Sequence, residues 1–177
     1  MGNWQTEPVS FKLKPGTSPF HGKEYPIPHV HLETLKKEVE RLCELGVLKR
    51  QPDNEWALPT FIIPKKNKTV RFISDFREVN KRIIRTPYPI PKISTILQEV
   101  EGYIEGFIYA TSLDLNMGYY TIKLDPDAQK ICTIILPWGK YSYLRLPMCI
   151  ADSPVLFQEK MSGFMELLEF ICTYLDD

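Results

Sequence analysis

The sequence predicts an α+β fold in which antiparallel, hairpin-paired strands are packed against helices. Three observations carry that prediction. Apolar residues recur at helical spacing in well-separated stretches. Two turns, Lys65-Lys66-Asn67-Lys68-Thr69 and Pro137-Trp138-Gly139-Lys140, each sit between strand-like runs. Helices and hairpins mingle along the chain instead of alternating as regular βαβ units.

In chain order, the prolines come first. There are 15, clustered over 15–28 and 87–91, and both clusters read as extended connectors because proline fixes φ and disfavours helix in the residue before it. Leu32, Leu35, Val39, Leu42 and Cys43 share one face of a helix over 32–45, and Gly46 is placed to end it. Residues 56–63 read as a strand interrupted by Pro59, which predicts a sheet edge or a bulge. Residues 70–74 return as its hairpin partner. Short helices are expected at 76–82 and 93–100. An apolar strand over 107–113 ends on Asp114. Strands over 131–136 and 141–146 form the second hairpin, and Asp125 and Asp127 before it read as turn residues. Ser153 can cap a helix with Pro154 in its first turn, and Phe157, Met161, Phe164, Met165 and Leu168 give that helix an apolar face. A final strand over 170–175 ends on Asp176-Asp177.

The 177 residues suffice for one domain, and 44% hydrophobic content argues for a real core. No apolar run approaches a membrane span, and the N-terminus lacks the layout of a secretory signal. The chain is therefore expected inside the cell, with no membrane partner. Cys43, Cys132, Cys149 and Cys172 form no close pair, which suggests neither a zinc site nor a disulfide framework. His29 and His31 lack a second ligand pair. Net charge is zero, but it is unevenly spread. Residues 49–92 carry eleven basic and four acidic side chains, and residues 93–177 carry five basic and twelve acidic. Two solvated faces would account for this, and so would a phosphate-binding surface beside a cation-binding carboxylate site.

Two strands predicted as buried end in carboxylate, one on Asp114 and one on Asp176 with Asp177. Carboxylates held close repel each other unless a cation neutralises them. Mg²⁺ suits such a cluster because it takes oxygen ligands and retains water or phosphate oxygens. A pair of such ions serves nucleotidyl transfer.

Four segments then fall into a recognisable order. Val70-Arg71-Phe72-Ile73-Ser74-Asp75-Phe76-Arg77-Glu78-Val79-Asn80 resembles the fingers motif of retroviral and retrotransposon reverse transcriptases. Ser112-Leu113-Asp114-Leu115-Asn116-Met117-Gly118-Tyr119-Tyr120 is similar to their first catalytic motif. Leu146-Pro147-Met148, followed by Ser153-Pro154 and Phe157-Gln158, resembles the next. Tyr174-Leu175-Asp176-Asp177 matches their Tyr-x-Asp-Asp signature. The stretch from Lys12-Leu13-Lys14-Pro15-Gly16 to Glu44-Leu45-Gly46-Val47-Leu48 is similar to the gypsy-like branch of long-terminal-repeat retrotransposons. Independent short motifs rarely coincide in one order.

The resemblance implies an RNA-directed DNA polymerase with fingers at 1–87 and 119–149 and palm at 88–118 and 150–177. It implies two Mg²⁺ ions, with Mn²⁺ as a substitute, on Asp114, Asp176, Asp177 and the Leu115 carbonyl. Arg71, with Lys65 or Lys66, would meet the triphosphate of a deoxynucleoside triphosphate. Tyr119 would pack under its sugar and exclude a 2′-hydroxyl, and Met148 would line the same pocket. Gln158 and Tyr174 would lie at the template and primer, and Asp75 would pair with a nearby base. A thumb, ribonuclease H and integrase are expected in a full-length product, and the resemblance implies a cytoplasmic particle or the nucleus as its location. One departure stands out: Cys149 occupies a position that is usually glycine in the family. A catalytically inactive, nucleic-acid-binding remnant of such an element is the alternative, and a different Mg²⁺ phosphotransferase is a weaker one.

Overall fold

The computed structural model describes residues 2, 4–66, 70–90, 92–96, 98, 111–168 and 171–174. Its centre is a five-stranded sheet ordered β1-β5-β4-β2-β3, built from β1 (Leu48–Arg50), β2 (Leu58–Pro64), β3 (Val70–Ser74), β4 (Thr133–Leu136) and β5 (Gly139–Tyr143). Both predicted hairpins form, β2 with β3 and β4 with β5, and β1 joins β5 antiparallel. The sheet is nonetheless mixed, because β2 runs parallel to β4 over Leu58↔Ile134 and Pro59↔Ile135. Pro59 is thus inside the sheet, where an edge or bulge was expected. It is tolerated because β2 changes partner there: pairing with β4 stops at Pro59, and pairing with β3 starts at Thr60.

Helix α1 (His29–Glu44) buries Leu35, Val39 and Leu42 and packs against β1 and β3. Leu32 and Cys43 are only partly buried on the margin of that face. Gly46 closes the helix as expected, with φ +66. The Val47 amide donates to the Leu42 carbonyl at 2.8 Å, which satisfies an otherwise orphaned acceptor. Helix α2 (Arg77–Arg82) follows β3. Helix α3 (Pro126–Ile131) was not expected; Asp125 caps it by accepting from the Ala128 amide at 2.7 Å, with proline in its first turn.

Helix α4 (Ser153–Met165) starts where the sequence placed it, but its cap is different. Asp152 holds the cap position without bonding the helix; its carboxylate accepts from the Thr86 amide at 3.2 Å and faces Arg85 at 3.6 Å. The Ser153 hydroxyl donates instead to the Pro147 carbonyl at 2.6 Å. The α4 face is buried at Phe157 and Met161, whereas Phe164 and Leu168 are exposed, and Leu168 lies beyond the helix. The expected helix at 93–100 is described only in part; the Thr95 and Ile96 amides both donate to the Lys92 carbonyl. Most of the strand expected over 107–113 lies outside the described residues, as do Phe170 and Leu175 of the last expected strand. Residues 111–113 and 171–174 adopt no strand.

A strap of N-terminal residues stitches these parts together. Val9 bridges Leu124, Leu13 bridges Ile83, and His21 bridges Ala57. Trp4 stacks on Phe157 and Phe164, with ring centroids 5.6 and 6.0 Å away. No described helix is long and apolar enough to cross a membrane.

Candidate functional site

Three segments supply the described site residues. The first is the β2–β3 hairpin. Beyond Pro59 it has left β4 behind, so it projects as a two-stranded arm, buried at Leu58, Pro59 and Thr60 and open to solvent towards Pro64. Arg71 lies on this arm opposite Ile63 and is exposed. Lys65 and Lys66 leave it, also exposed, and 67–69 lie outside the described residues. Asp75, at the root of the arm, accepts from the Arg77 guanidinium at 2.6 Å and from the Tyr25 hydroxyl at 3.2 Å. The Arg77 bonds hold its carboxyl below the ordinary range, against partial desolvation. This is the pairing with a base that the sequence suggested.

The second segment is the loop over 146–151. It has no regular structure of its own, so side chains fix it from both ends. Ser153 holds Pro147, as above. Asn80 of α2 donates to the Cys149 carbonyl at 3.1 Å and accepts from the Ala151 amide at 2.8 Å. This loop meets the arm: Arg71, Ser74, Tyr120, Met148 and Cys149 line one cavity of about 100 Å³. The Cys149 side chain is exposed there. Partial desolvation pushes its thiol up, and the positive charge of Arg71 opposes the shift. Tyr120 is half-buried, and desolvation pushes its phenol up to about 12. Behind it the Tyr143 and Ser74 hydroxyls are hydrogen-bonded at 2.9 Å.

The third segment is the turn after Asp114. Asp114 is exposed, and no described cation pairs with it. Met117 has φ 59, the only positive φ outside glycine among the described residues, a conformation that costs about 1–2 kcal/mol. It folds the chain so that the Gly118 amide donates to the Leu115 carbonyl at 3.2 Å and a 3-10 turn, Gly118–Thr121, begins. Gly118 lets the turn lie close to Phe157: a Cβ there would sit 3.0 Å from the ring, tighter than ordinary contact. Tyr119 is 8% exposed and stacks on Phe157 with centroids 4.7 Å apart. Successive side chains on a 3-10 turn diverge by about 120°, so Tyr119 turns inward to Phe157 while Tyr120 lines the cavity. The sequence reading assigned no role to Tyr120 or Asn80. The doubled tyrosine was the available signal for the first; nothing local marked the second.

Gln158 lies inside the fold, 1% exposed. Its amide donates to the Ser162 hydroxyl at 3.1 Å and the Thr173 carbonyl at 3.0 Å. It therefore ties α4 to the segment carrying the half-buried Tyr174. Asp176 and Asp177 lie outside the described residues. Among the described residues no three His, Cys, Asp or Glu side chains come together as a metal site.

Comparison with known proteins bears on what this arrangement is. Residues 63–177 match the family model "Reverse transcriptase (RNA-dependent DNA polymerase)". The retrovirus-related Pol polyprotein from transposon 297 of Drosophila melanogaster is 31% identical over 168 residues, covering 90% of this chain and 15% of the relative. That from transposon opus of the same organism is 30% identical over 167 residues, covering 90% of this chain and 16% of the relative. The chain thus spans about a seventh of these relatives. A crystal structure of prototype foamy virus protease–reverse transcriptase superposes with TM-score 0.83 at 26% identity, covering 99% of this chain and 23% of that one. The α+β architecture described above is thus that of the fingers and palm, and the chain belongs to the reverse transcriptase (RNA-dependent DNA polymerase) family.

Proposed function

We propose that this chain is the RNA-directed DNA polymerase segment of a gypsy-like long-terminal-repeat element, adding deoxynucleotides to a primer on an RNA or DNA template. One observation carries the reading. Arg71, Tyr120 and Met148, from three segments far apart in sequence, line a single cavity beside the arm that bears Lys65 and Lys66. In this reading the Arg71 guanidinium holds two phosphate oxygens of the incoming triphosphate at once, and Lys65 or Lys66 adds charge. Tyr119, turned towards Phe157 and not lining that cavity, meets the sugar with the small part of its surface that stays exposed and so excludes a 2′-hydroxyl. Met148, fixed through Asn80 and Ser153, lines the nucleotide pocket. Gln158 acts at one remove, by holding Thr173 and with it Tyr174 near the template and primer.

The donor set fits Mg²⁺. Asp114 offers an exposed carboxylate with no described cation on it, and the Leu115 carbonyl, which accepts one hydrogen bond from Gly118, keeps a second lone pair. Asp114, Asp176, Asp177 and the Leu115 carbonyl would hold the ions, with Mn²⁺ as a substitute. When bound, two ions lower the cost of activating the primer hydroxyl and of releasing pyrophosphate. We assign residues 1–87 and 119–149 to fingers and 88–118 and 150–177 to palm. The central sheet supports the first pair, since all its strands fall within those ranges.

The test is template-primed incorporation, measured on the chain itself and on the chain joined to the downstream polymerase segment of a relative. Asp114→Asn is expected to abolish incorporation. Undiminished incorporation by that variant would overturn the assignment.

A further inference from the structure

We infer that Trp4 is a positioning residue for sugar selection, acting through Phe157 on Tyr119; this rests on the reading of Tyr119 given above. The four rings form a chain of contacts. Tyr119 stacks on Phe157 at 4.7 Å, Phe157 on Trp4 at 5.6 Å, and Trp4 on Phe164 at 6.0 Å, the last pair only 7° from parallel. Phe157, the shared member, has no exposed surface, while Phe164 at the far end is 63% exposed. Trp4 also grips the turn that carries Tyr119 through its main chain. Its amide donates to the Thr121 carbonyl at 3.3 Å, and the Thr121 hydroxyl donates back to the Gly118 carbonyl at 2.6 Å. The strap is pinned nearby by Lys160, whose ammonium donates to the Glu7 carbonyl at 3.1 Å.

Excluding a hydroxyl by steric contact demands a wall that cannot retreat, because repulsion falls away within a fraction of an ångström. Tyr119 has Phe157 as backing. A Cβ on Gly118 would sit 3.0 Å from the Phe157 ring, tighter than ordinary van der Waals contact, so ring and turn are closely packed. Movement of Phe157 is therefore felt at the turn. Trp4 supplies one face of the Phe157 environment from a segment more than a hundred residues away in sequence. Removing the indole leaves a void of aromatic size into which Phe157 can relax. Tyr119 then follows and room opens for a 2′-oxygen.

The experiment compares kcat/KM for deoxynucleotide and ribonucleotide incorporation, using the chain joined to the downstream polymerase segment, in wild type, W4A, W4F, Y119A and the W4A/Y119A pair. W4A is expected to lower the deoxy-over-ribo ratio by about tenfold, the scale on which pocket shape discriminates one small group, and W4F to restore it to within about threefold. In the Y119A background W4A should have no further effect on the ratio, which general destabilisation would not reproduce. If W4A does not fold, F164A makes the same comparison from the exposed end of the stack, with a smaller loss in the same direction. A ratio unchanged in W4A or F164A while Y119A relaxes it overturns the inference alone. A ratio unchanged in Y119A, or no incorporation by wild type, overturns the functional reading beneath it as well.

Discussion

Asn80 offers the sharpest test of how the site is held. Its amide group is the sole described side-chain brace on the outer half of the 146–151 loop, giving one hydrogen bond to the Cys149 carbonyl and taking one from the Ala151 amide. Each neutral bond of this kind contributes about 0.5–1.5 kcal/mol net, so Asn80→Ala should release about 1–3 kcal/mol of local stability. Asn80→Asp keeps the acceptor for Ala151 but loses the donor to Cys149, and should cost about half as much. Two measurements read this out. Urea denaturation gives the global part. Amide hydrogen exchange gives the local part, in which the Ala151 N–H should exchange about 5- to 150-fold faster in Asn80→Ala. Ala151 protection should survive in Asn80→Asp. The reasoning fails if Asn80→Ala leaves Ala151 protection at the wild-type level, or if the two substitutions release Ala151 equally.

Two further outcomes follow from single groups. The Asp75 carboxyl is held below its ordinary value of 3.8, chiefly by its bonds from Arg77; its contribution is therefore fully present above that value and is lost as pH falls through the depressed one. Asp75→Asn should flatten the acid limb of a stability-versus-pH curve below about pH 4 and leave its shape near neutrality unaltered, as followed by circular dichroism on acid titration. The Thr60 hydroxyl is buried with no hydrogen-bond partner, so the near-isosteric Thr60→Val should raise stability by about 1 kcal/mol, and a lowered urea midpoint would contradict this.

The parts of the fold set by local rules were legible in the sequence. The α1 stripe of Leu35, Val39 and Leu42, the stop at Gly46 and both hairpins follow from periodicity and turn chemistry that act within a dozen residues. The misreadings have tertiary causes. Pro59 suggested an edge because proline cannot donate to a ladder, but the strand exchanges partners at that residue, and this depends on where β4 lies. Ser153 has a capping side chain, yet the Pro147 carbonyl claims its hydroxyl. Asp125-Pro126 carries a full helix-start signal, a capping side chain followed by proline, and α3 follows that local rule where a plain turn is the expectation. At the site, Arg71 and Met148 were legible from motifs and do meet at one cavity. The 3-10 phase that separates Tyr119 from Tyr120 was not legible, because it depends on the left-handed backbone at Met117, a residue type that gives no hint of it. The motif suggests a place for Gln158 at the template and primer but not its burial, because its partner, Thr173, is fifteen residues on.

The N-terminal strap has a consequence for the order of folding. Every partner of the strap is made after it: Ala57 for His21, Ile83 for Leu13, Leu124 for Val9, and Phe157 and Phe164 for Trp4. Each such closure spans a longer loop than the one before, and long-range contacts are the slow ones to form. The outermost residues of the strap are therefore expected to dock last. About 160 residues separate Trp4 from Phe164; at roughly 5–20 residues per second, synthesis keeps the indole without its partners for roughly 10–30 seconds. Until Phe157 and Phe164 are made, the indole has neither of the rings it stacks on. The strap works as a latch whose outermost contact waits for helix α4.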